Sequence, residues 1–272
     1  MAIEQKSELL KGKKALIMGV ANDKSIAWGI AHELRAHGAE LAFTYMGEQI
    51  MKRLEPLAQE AGSDIMIECN VSKEESLDQA FVELKKHWPE FDMLVHAIAY
   101  SDKEELKGMY VDTTLENFLN TMHVSCYSFT SVMRRAKDMM PVGGSAITLS
   151  YYGAQKVMPF YNVMGVAKAA LEASTRYLAA DLGPKYGIRV NAVSAGPMRT
   201  LAGSAIGGAR ATYKHNIETA PLRRAVTLEE LGGTAVYLLS EMGGAVTGET
   251  HFVDCGFNVV GMKKRDEEAE AS

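Results

Sequence analysis

The chain has 272 residues, of which 47% are hydrophobic and 23% charged, and a net charge of -5 at pH 7. This balance supports a sizeable core and argues against overall disorder. The negative charge gives no basic surface for nucleic acid, and no apolar run approaches about 18 residues, so neither a nucleic-acid partner nor a membrane partner is expected. The odd number of widely spaced cysteines, Cys69, Cys126 and Cys255, favours reduced thiols and a cytoplasmic location.

Short apolar runs alternate with segments of helical periodicity along the whole chain. The pattern predicts strands over 14–18, 40–45, 64–68, 93–98, 145–150, 189–193 and 250–253. It predicts helices over 26–37, 48–61, 74–87, 115–140, 160–182 and 228–240. Most strands are continuous apolar runs, which is typical of parallel strands buried on both faces. We therefore expect a Rossmann-type three-layer α/β fold with a seven-stranded, mainly parallel sheet, as a single domain over 1–262 followed by a charged, disordered tail over 263–272.

The segment between the first strand and the first helix is a candidate phosphate-binding turn. Gly19 follows the strand, and Ser25 and Ile26 stand where the helix begins. Such a turn points backbone N–H groups at a phosphate, aided by the helix dipole. The segment lacks the full G-x-G-x-x-G pattern, so a plain turn at Gly19 and a plain N-cap at Ser25 explain it about equally well.

The residues after the second strand bear on which dinucleotide would bind. Met46 and Gly47 follow the strand, and neither is a cation that could pair with a 2′-phosphate. Lys52 and Arg53 lie farther along the predicted helix, where solvated charge is their expected role. The sequence therefore favours NADH over NADPH.

Tyr161 and Lys168 form a candidate catalytic pair, and Tyr151 directly follows the fifth predicted strand. Seven residues span almost two helical turns, so we expect Tyr161 and Lys168 to project from one helix face near the carboxyl ends of the strands. A phenol can donate to a developing oxyanion, and a nearby ammonium can lower its pKa and bind a ribose. For a single Tyr/Lys pair, however, an ordinary helix surface is the more common explanation.

No rival chemistry is evident in the sequence. It lacks a P-loop and the H-E-x-x-H, C-x-x-C and G-x-S-x-G motifs, and its seven histidines show no metal-ligand spacing, so no metal is expected. His96 ends a buried strand and is expected to be a hydrogen-bonded core histidine. The glycine-rich segment 203–208 is interpreted equally well as a mobile lid or as a plain surface loop.

Together these segments resemble the divergent branch of the short-chain dehydrogenase/reductase superfamily, specifically the bacterial NADH-linked enoyl-acyl-carrier-protein reductases. The most specific motif is Tyr161-x6-Lys168, because the commoner branch has Tyr-x3-Lys and would place tyrosine where Met164 stands. The phosphate turn, the strand end at 149–151 and the segment 195–202 match the same branch. The similarity runs from about residue 11 to residue 262.

The resemblance implies that NADH reduces a trans-2-enoyl thioester presented by an acyl-carrier protein in fatty-acid biosynthesis, and that the enzyme is a homotetramer. It implies that Tyr161 hydrogen-bonds the thioester carbonyl, that Tyr151 is a second pocket tyrosine and that Lys168 holds the cofactor ribose. Ser101 corresponds to a substrate contact. The other cofactor-binding residues that it implies are Gly19, Ser25, Ile26, Met46, Asn70, Val71, Ile98, Met198, Arg199, Thr200, Leu201 and Ala202.

Four residues depart from the family pattern: Met46, Asn70, Ala99 and Cys255 stand in place of Gln, Asp, Gly and Gly. None of them removes the Tyr161 and Lys168 pair. Two alternatives stay open, a carbonyl or alcohol oxidoreductase of the same superfamily and a catalytically silent nucleotide-binding regulator.

Overall fold

A computed structural model of the protein describes residues 2–200 and 208–263. A seven-stranded sheet in the order β3-β2-β1-β4-β5-β6-β7 runs through them, and each neighbouring pair is parallel. The strands are β1 (Lys14–Met18), β2 (Glu40–Tyr45), β3 (Met66–Glu68), β4 (Met93–His96), β5 (Ser145–Ser150), β6 (Arg189–Ala195) and β7 (Thr250–Val253). The sheet confirms the predicted Rossmann-type α/β fold. Beyond Lys263, the predicted charged tail lies outside the described residues.

Helices cover both faces of this sheet. They are α1 (Ile26–Ala36), α2 (Glu48–Glu60), α3 (Glu74–His87), α4 (Leu115–Met122), α5 (Ser128–Ala136), α6 (Asn162–Tyr186), α7 (Ala209–Thr219) and α8 (Leu228–Leu239). The apolar sides of α1, α2 and α8 form one core cluster with the sheet, and those of α3, α5 and α6 form the other, which gives three layers. Within residues 2–200 and 208–263, no helix is long and apolar enough to cross a membrane.

Three strands differ in length from the prediction because of their partners. β3 begins two residues later, at Met66, and β4 ends at His96, where its pairing with β1 and β5 stops. β6 continues to Ala195 because its last residues pair with β7 as far as Val253. Strand ends depend on these neighbours, which the local pattern does not reveal.

The helix predicted over 115–140 is wrong as one continuous α-helix. A π-helical turn, His123–Tyr127, separates α4 from α5. Within this turn, Ser125 Oγ accepts a hydrogen bond from the backbone N–H of Tyr100 and donates one to its carbonyl oxygen, each at 2.9 Å. The π-turn therefore fastens the loop that follows β4, and π-turns are frequent beside functional sites.

His96 is a core histidine, as predicted. Its Nε2 lies 2.9 Å from Ser128 Oγ, and its Nδ1 lies 3.3 Å from Thr148 Oγ1. Burial lowers the pKa of His96 to about 3, with a smaller contribution from the charge of Lys168. The imidazole is therefore neutral at pH 7.

The centre of the sheet opens a crevice at its carboxyl edge. β1 lies between β2 and β4, so the chain leaves β1 toward one side of the sheet and later returns on the other. Open α/β sheets bind ligands at this switch point. Gly19, at the end of β1, has a φ of +103°, and a Cβ there would collide with the carbonyl oxygen of Ala97 on the strand-β4 side. Only glycine fits this close approach.

Candidate active site

A cavity of about 1280 Å³ occupies the crevice. Its walls come from the turn after β1, the ends of β4, β5 and β6, the start of α6 and one face of α7. It brings together these predicted site residues: Gly19, Ser25, Ile26, Ile98, Tyr151, Tyr161, Lys168, Met198, Arg199 and Thr200. Leu201 and Ala202 lie outside the described residues.

The turn after β1 presents the N-terminus of α1 to the cavity. Ser25 caps this helix, because its Oγ accepts a hydrogen bond from Trp28 N at 3.4 Å and donates one to the Asn22 carbonyl at 2.7 Å. No acidic residue stands in the first turn of α1. The positive end of the helix dipole is thus free to interact with an anion. Ser25 is thus a helix cap, as one interpretation of the sequence predicted, and it also lines the cavity.

Tyr161 lies just before α6 rather than inside it, since the helix begins at Asn162. Tyr161 is the N-cap residue of α6, its carbonyl oxygen accepts a 3.1 Å hydrogen bond from Gly165 N, and its side chain lines the same cavity as Lys168. The residues on either side of Tyr161 have positive φ angles, 59° at Phe160 and 25° at Asn162. Such backbone costs free energy for non-glycine residues and is concentrated at functional sites. Asn162 Nδ2 donates to the Glu105 carbonyl at 3.2 Å and so anchors this turn.

Tyr151 and Tyr161 are held as neutral phenols at the inner end of the cavity. Burial, with a smaller contribution from the charge of Asp254, raises the pKa of Tyr151 to about 12. Burial also raises the pKa of Tyr161 well above its ordinary value, with Tyr151 adding to the effect. A neutral phenol keeps its proton and can donate a hydrogen bond to an oxygen that gains negative charge.

Lys168 is buried on α6, and its Nζ donates a 2.7 Å hydrogen bond to the carbonyl oxygen of Leu149 at the end of β5. Burial lowers the pKa of Lys168 to about 8, whereas Cys126 and Glu172 act in the opposite direction. The ammonium is therefore mostly charged at pH 7, but it loses its proton at a lower pH than the ammonium of an exposed lysine does.

Four of the predicted site residues do not line this cavity: Met46, Asn70, Val71 and Ser101. Met46 is exposed just beyond β2. Asn70 Oδ1 already accepts a hydrogen bond from Ser72 N at 2.9 Å. The hydroxyl of Ser101 accepts hydrogen bonds from Asn117 Nδ2 and Thr121 Oγ1, which tie it to α4.

The sequence interpretation missed α7, which contributes Arg210 and Tyr213 to the cavity wall. The guanidinium of Arg199 lies over the ring of Tyr213, 4.7 Å from its centroid. Among the large apolar residues, only Tyr213 and Ile217 fall in this helix, so its hydrophobic pattern is weak. The arginine and tyrosine at i and i+3 were the available signal, because these positions share a helix face.

Across residues 2–200 and 208–263, no group of three or more His, Cys, Asp or Glu side chains is arranged to hold a metal ion. The side chains that line the cavity include phenols, guanidinium groups, hydroxyls and the ammonium groups of Lys24 and Lys168.

A family model described as enoyl-(acyl carrier protein) reductase matches residues 19–258. The chain belongs to this reductase family. The matched span contains each element that lines the cavity, and the family is the one that the sequence motifs indicated.

Curated relatives and solved structures of the reductase family agree with this assignment. The enoyl-[acyl-carrier-protein] reductase [NADH] 2 of Rhizobium meliloti is 56% identical over 254 residues, covering 93% of this chain and 94% of the relative. The Aquifex aeolicus enoyl-[acyl-carrier-protein] reductase [NADH] FabI is 46% identical over 261 residues, covering 96% of each. FabI from Candidatus Liberibacter asiaticus superposes with a TM-score of 0.93 at 54% identity, covering 95% of this chain and 100% of that one. The Anaplasma phagocytophilum reductase, solved in complex with NAD, gives 0.92 at 54% identity, covering 97% and 98%.

Proposed function

We propose that the protein is an NADH-dependent enoyl-acyl-carrier-protein reductase, which reduces the double bond of a trans-2-enoyl thioester in fatty-acid biosynthesis. The observation that carries the proposal is the meeting of Tyr161 and Lys168, at the family's x6 spacing, in one cavity at the switch point of the sheet. The family match and the names of the curated relatives support the same activity.

The cavity fits a dinucleotide such as NADH. Its outer part combines the free N-terminus of α1 with the cationic side chains of Lys24, Arg199 and Arg210, which suit a pyrophosphate. Gly19, Ser25 and Ile26 would hold the phosphates at this end. Ile98 would lie beside the cofactor, and 198–202 would lie along its pyrophosphate and nicotinamide, as the family resemblance implies. When bound, NADH supplies a hydride from nicotinamide C4 to the β-carbon of the enoyl thioester.

The residues at the inner end stabilise the charge that this transfer creates. Hydride addition at the β-carbon leaves an enolate with negative charge on the thioester carbonyl oxygen. The Tyr161 hydroxyl donates a hydrogen bond to that oxygen, and the enolate is then protonated at the α-carbon, which completes the reduction. Tyr151 packs against the Tyr161 ring and limits its position. Lys168 holds the ribose through its ammonium and keeps the start of α6 against the end of β5.

The preference for NADH is supported by the residues that follow β2. Met46 offers no positive charge for a 2′-phosphate. Lys52, the first cation of α2, is already paired with Glu48 at 2.6 Å. Asn70 and Val71 follow β3 and would lie beside the adenine, as the resemblance implies.

We include in the proposal the acyl-carrier protein as substrate carrier, a homotetramer and the cytoplasm as the site of action. Exposed apolar side chains on α4, the π-turn and α6 support an assembly through these elements: Leu115, Leu119, Tyr127, Val166 and Tyr177. All three cysteines are unpaired thiols, as expected in a reducing compartment. The ends of β4, β5 and β6, which belong to one sheet, line the cavity together with helices that pack on it, and this supports a single catalytic domain over 1–262.

The test compares two substrates with the full-length protein. We expect NADH to be oxidised with a trans-2-enoyl thioester such as the crotonyl derivative, and not with the acetoacetyl derivative. Preference for the acetoacetyl thioester would indicate a carbonyl reductase of the same superfamily. Binding of NADH without turnover on either substrate would indicate a silent nucleotide-binding protein.

A further inference from the structure

Glu172 is a buried carboxylate for which the proposed mechanism gives no role. It lies on α6, four residues after Lys168, and is only 5% exposed. Ser150 Oγ donates a 2.6 Å hydrogen bond to Glu172 Oε1, and Gln155 Nε2 donates a 3.5 Å bond to Oε2. Burial of a carboxylate costs free energy unless hydrogen bonds or an opposite charge compensate for it.

Two side chains of α6, one helical turn apart, hold consecutive residues at the end of β5. Lys168 binds the carbonyl of Leu149, and Glu172 binds the hydroxyl of Ser150. Tyr151 is the next residue along the chain. The contact with Ser150 therefore fixes the strand end from which Tyr151 enters the cavity.

Glu172 is the carboxyl group among the side chains that surround Lys168. Facing Lys168 from the described residues are Cys126 of the π-turn, His96 of β4, Tyr161 at the start of α6 and Glu172 itself. Burial raises the pKa of the Cys126 thiol, so that group is neutral at pH 7. His96 is also neutral, and the raised pKa of Tyr161 keeps its phenol protonated. Replacement of the Glu172 carboxyl group would remove an interaction that raises the pKa of Lys168 and would leave the buried ammonium with its hydrogen bond to the Leu149 carbonyl.

We propose that Glu172 is a positioning residue of the active site, which anchors the end of β5 through Ser150 and places a buried carboxyl group one helical turn from Lys168. The inference deepens the proposed function and rests on it for the role of Lys168 toward the cofactor. It adds a buried carboxyl group, one turn behind the Tyr161 and Lys168 pair, on which the pair depends.

Glu172→Gln is the variant that tests the charge, because glutamine keeps the shape and can still accept the hydrogen bond from Ser150. The titration of Lys168 is followed directly in cofactor-free protein by NMR of ¹³C-labelled lysine, with the resonance assigned by its loss in Lys168→Arg. From about 8 in the wild type, the midpoint is expected to fall by roughly one pH unit. Asp181→Asn removes the same charge from an exposed position on α6 and should leave the midpoint unchanged. An unchanged midpoint in Glu172→Gln overturns the inference.

Ser150→Ala separates the charge from the contact. This variant keeps the Glu172 carboxylate but removes the hydroxyl that binds it, so the Lys168 midpoint should stay near its wild-type value while the melting temperature falls. A fall in the midpoint as large as in Glu172→Gln would show that packing, not charge, controls Lys168, and would overturn the inference.

NADH affinity across the pH range separates this inference from the proposed function. The alkaline loss of affinity should move to lower pH in Glu172→Gln, which at about pH 7.5 weakens binding on the order of threefold. A lower NMR midpoint without this change in affinity would sustain the role of Glu172 and refute the ribose-binding role proposed for Lys168.

Discussion

The rings of Tyr151 and Tyr161 meet edge to face, with their centroids 5.0 Å apart and their planes at 74°. Aromatic pairs in this arrangement attract each other beyond the area that they bury, so each ring limits the position of the other. Tyr151 follows β5 and Tyr161 precedes α6, the same two elements that Lys168 joins through its hydrogen bond to Leu149. A variant that keeps both rings therefore tests the hydroxyl alone.

Tyr161→Phe should lower turnover on the order of a hundredfold while NADH affinity changes little, because the phenol acts on charge that develops mainly in the transition state. Tyr151→Phe keeps the same ring contact and should cost less. Steady-state kinetics with a trans-2-enoyl thioester and fluorescence titration with NADH measure the two effects. Unchanged turnover in Tyr161→Phe would move the donor role to Tyr151 or to water.

NADH affinity of the free enzyme should fall as the pH rises through about 8, the value to which burial lowers the pKa of Lys168. The loss begins at lower pH than for an exposed lysine, since the depressed pKa makes the ammonium give up its proton earlier. Lys168→Ala should weaken binding and flatten this pH dependence. Lys185→Ala, an exposed position near the end of α6, is the matched control. An unaltered dissociation constant in Lys168→Ala would contradict the ribose role.

The kcat/KM of the enzyme should be at least about tenfold higher with NADH than with NADPH, because no cation stands directly after β2 to pair with the 2′-phosphate. Met46→Arg places one there at an exposed position and should raise kcat/KM with NADPH. Met46→Gln changes the side chain without adding charge and controls for this effect. Equal efficiency of the wild type with both cofactors would be incompatible with the argument.

Adjacent glycines on α8 should respond to alanine in opposite directions. A Cβ at Gly232 would collide with the side chain of Glu33 and lie 2.7 Å from the carbonyl oxygen of Gly29, where α8 crosses α1. Gly232→Ala should lower the free energy of unfolding by about 1–3 kcal/mol. Gly233 has no atom within 4 Å of its added Cβ, so Gly233→Ala should raise it by about 0.5–1 kcal/mol. Denaturant unfolding measures both, and equal effects would show that α1 and α8 are not in close contact.

Light scattering at micromolar concentration should give the mass of a tetramer. Leu119→Asp on α4 and Tyr177→Asp on α6 place charge among the exposed apolar side chains of the proposed contact and should lower the mass. Val82→Asp makes the same change on the exposed face of α3 and should leave it unaltered. A monomeric wild type would overturn the proposed assembly.

The sheet could be predicted because strands that are buried on both faces have continuous apolar sequences, such as those of β1 and β4. The break at His123–Tyr127 could not, because both flanking helices carry ordinary helical periodicity and one extra residue leaves no local mark. The weak apolar pattern of α7 hid that helix as well. Local patterns thus gave the layers but not the irregular turns beside the cavity.

Predicted site residues that follow strands, such as Tyr151 and Met198, reach the cavity because parallel strands end at one edge of the sheet. Glu172 could not be found in the same way. On a helix, glutamate four residues after a lysine is usually a solvated neighbour, and its burial depends on the packing of α6 against β5. Ser101 is the opposite case, because the sequence placed it at the site and the structure does not place it in the cavity wall. Its hydroxyl is hydrogen-bonded to α4, and these contacts cannot be inferred from the sequence.

The π-helical turn His123–Tyr127 has a geometric consequence for the active site. One residue added to an α-helix shifts everything beyond it by about 100° around the helix axis. The hydrogen bonds of Ser125 to the Tyr100 backbone and of Ser128 to His96 depend on the present rotation of these residues about the helix axis. Deletion of one residue within 123–127 would rewind the helix and turn these hydroxyls away while leaving its apolar composition almost intact. The cavity wall at 97–99 thus depends on the winding of this helix, which a single-residue deletion changes and a substitution that keeps the helix does not.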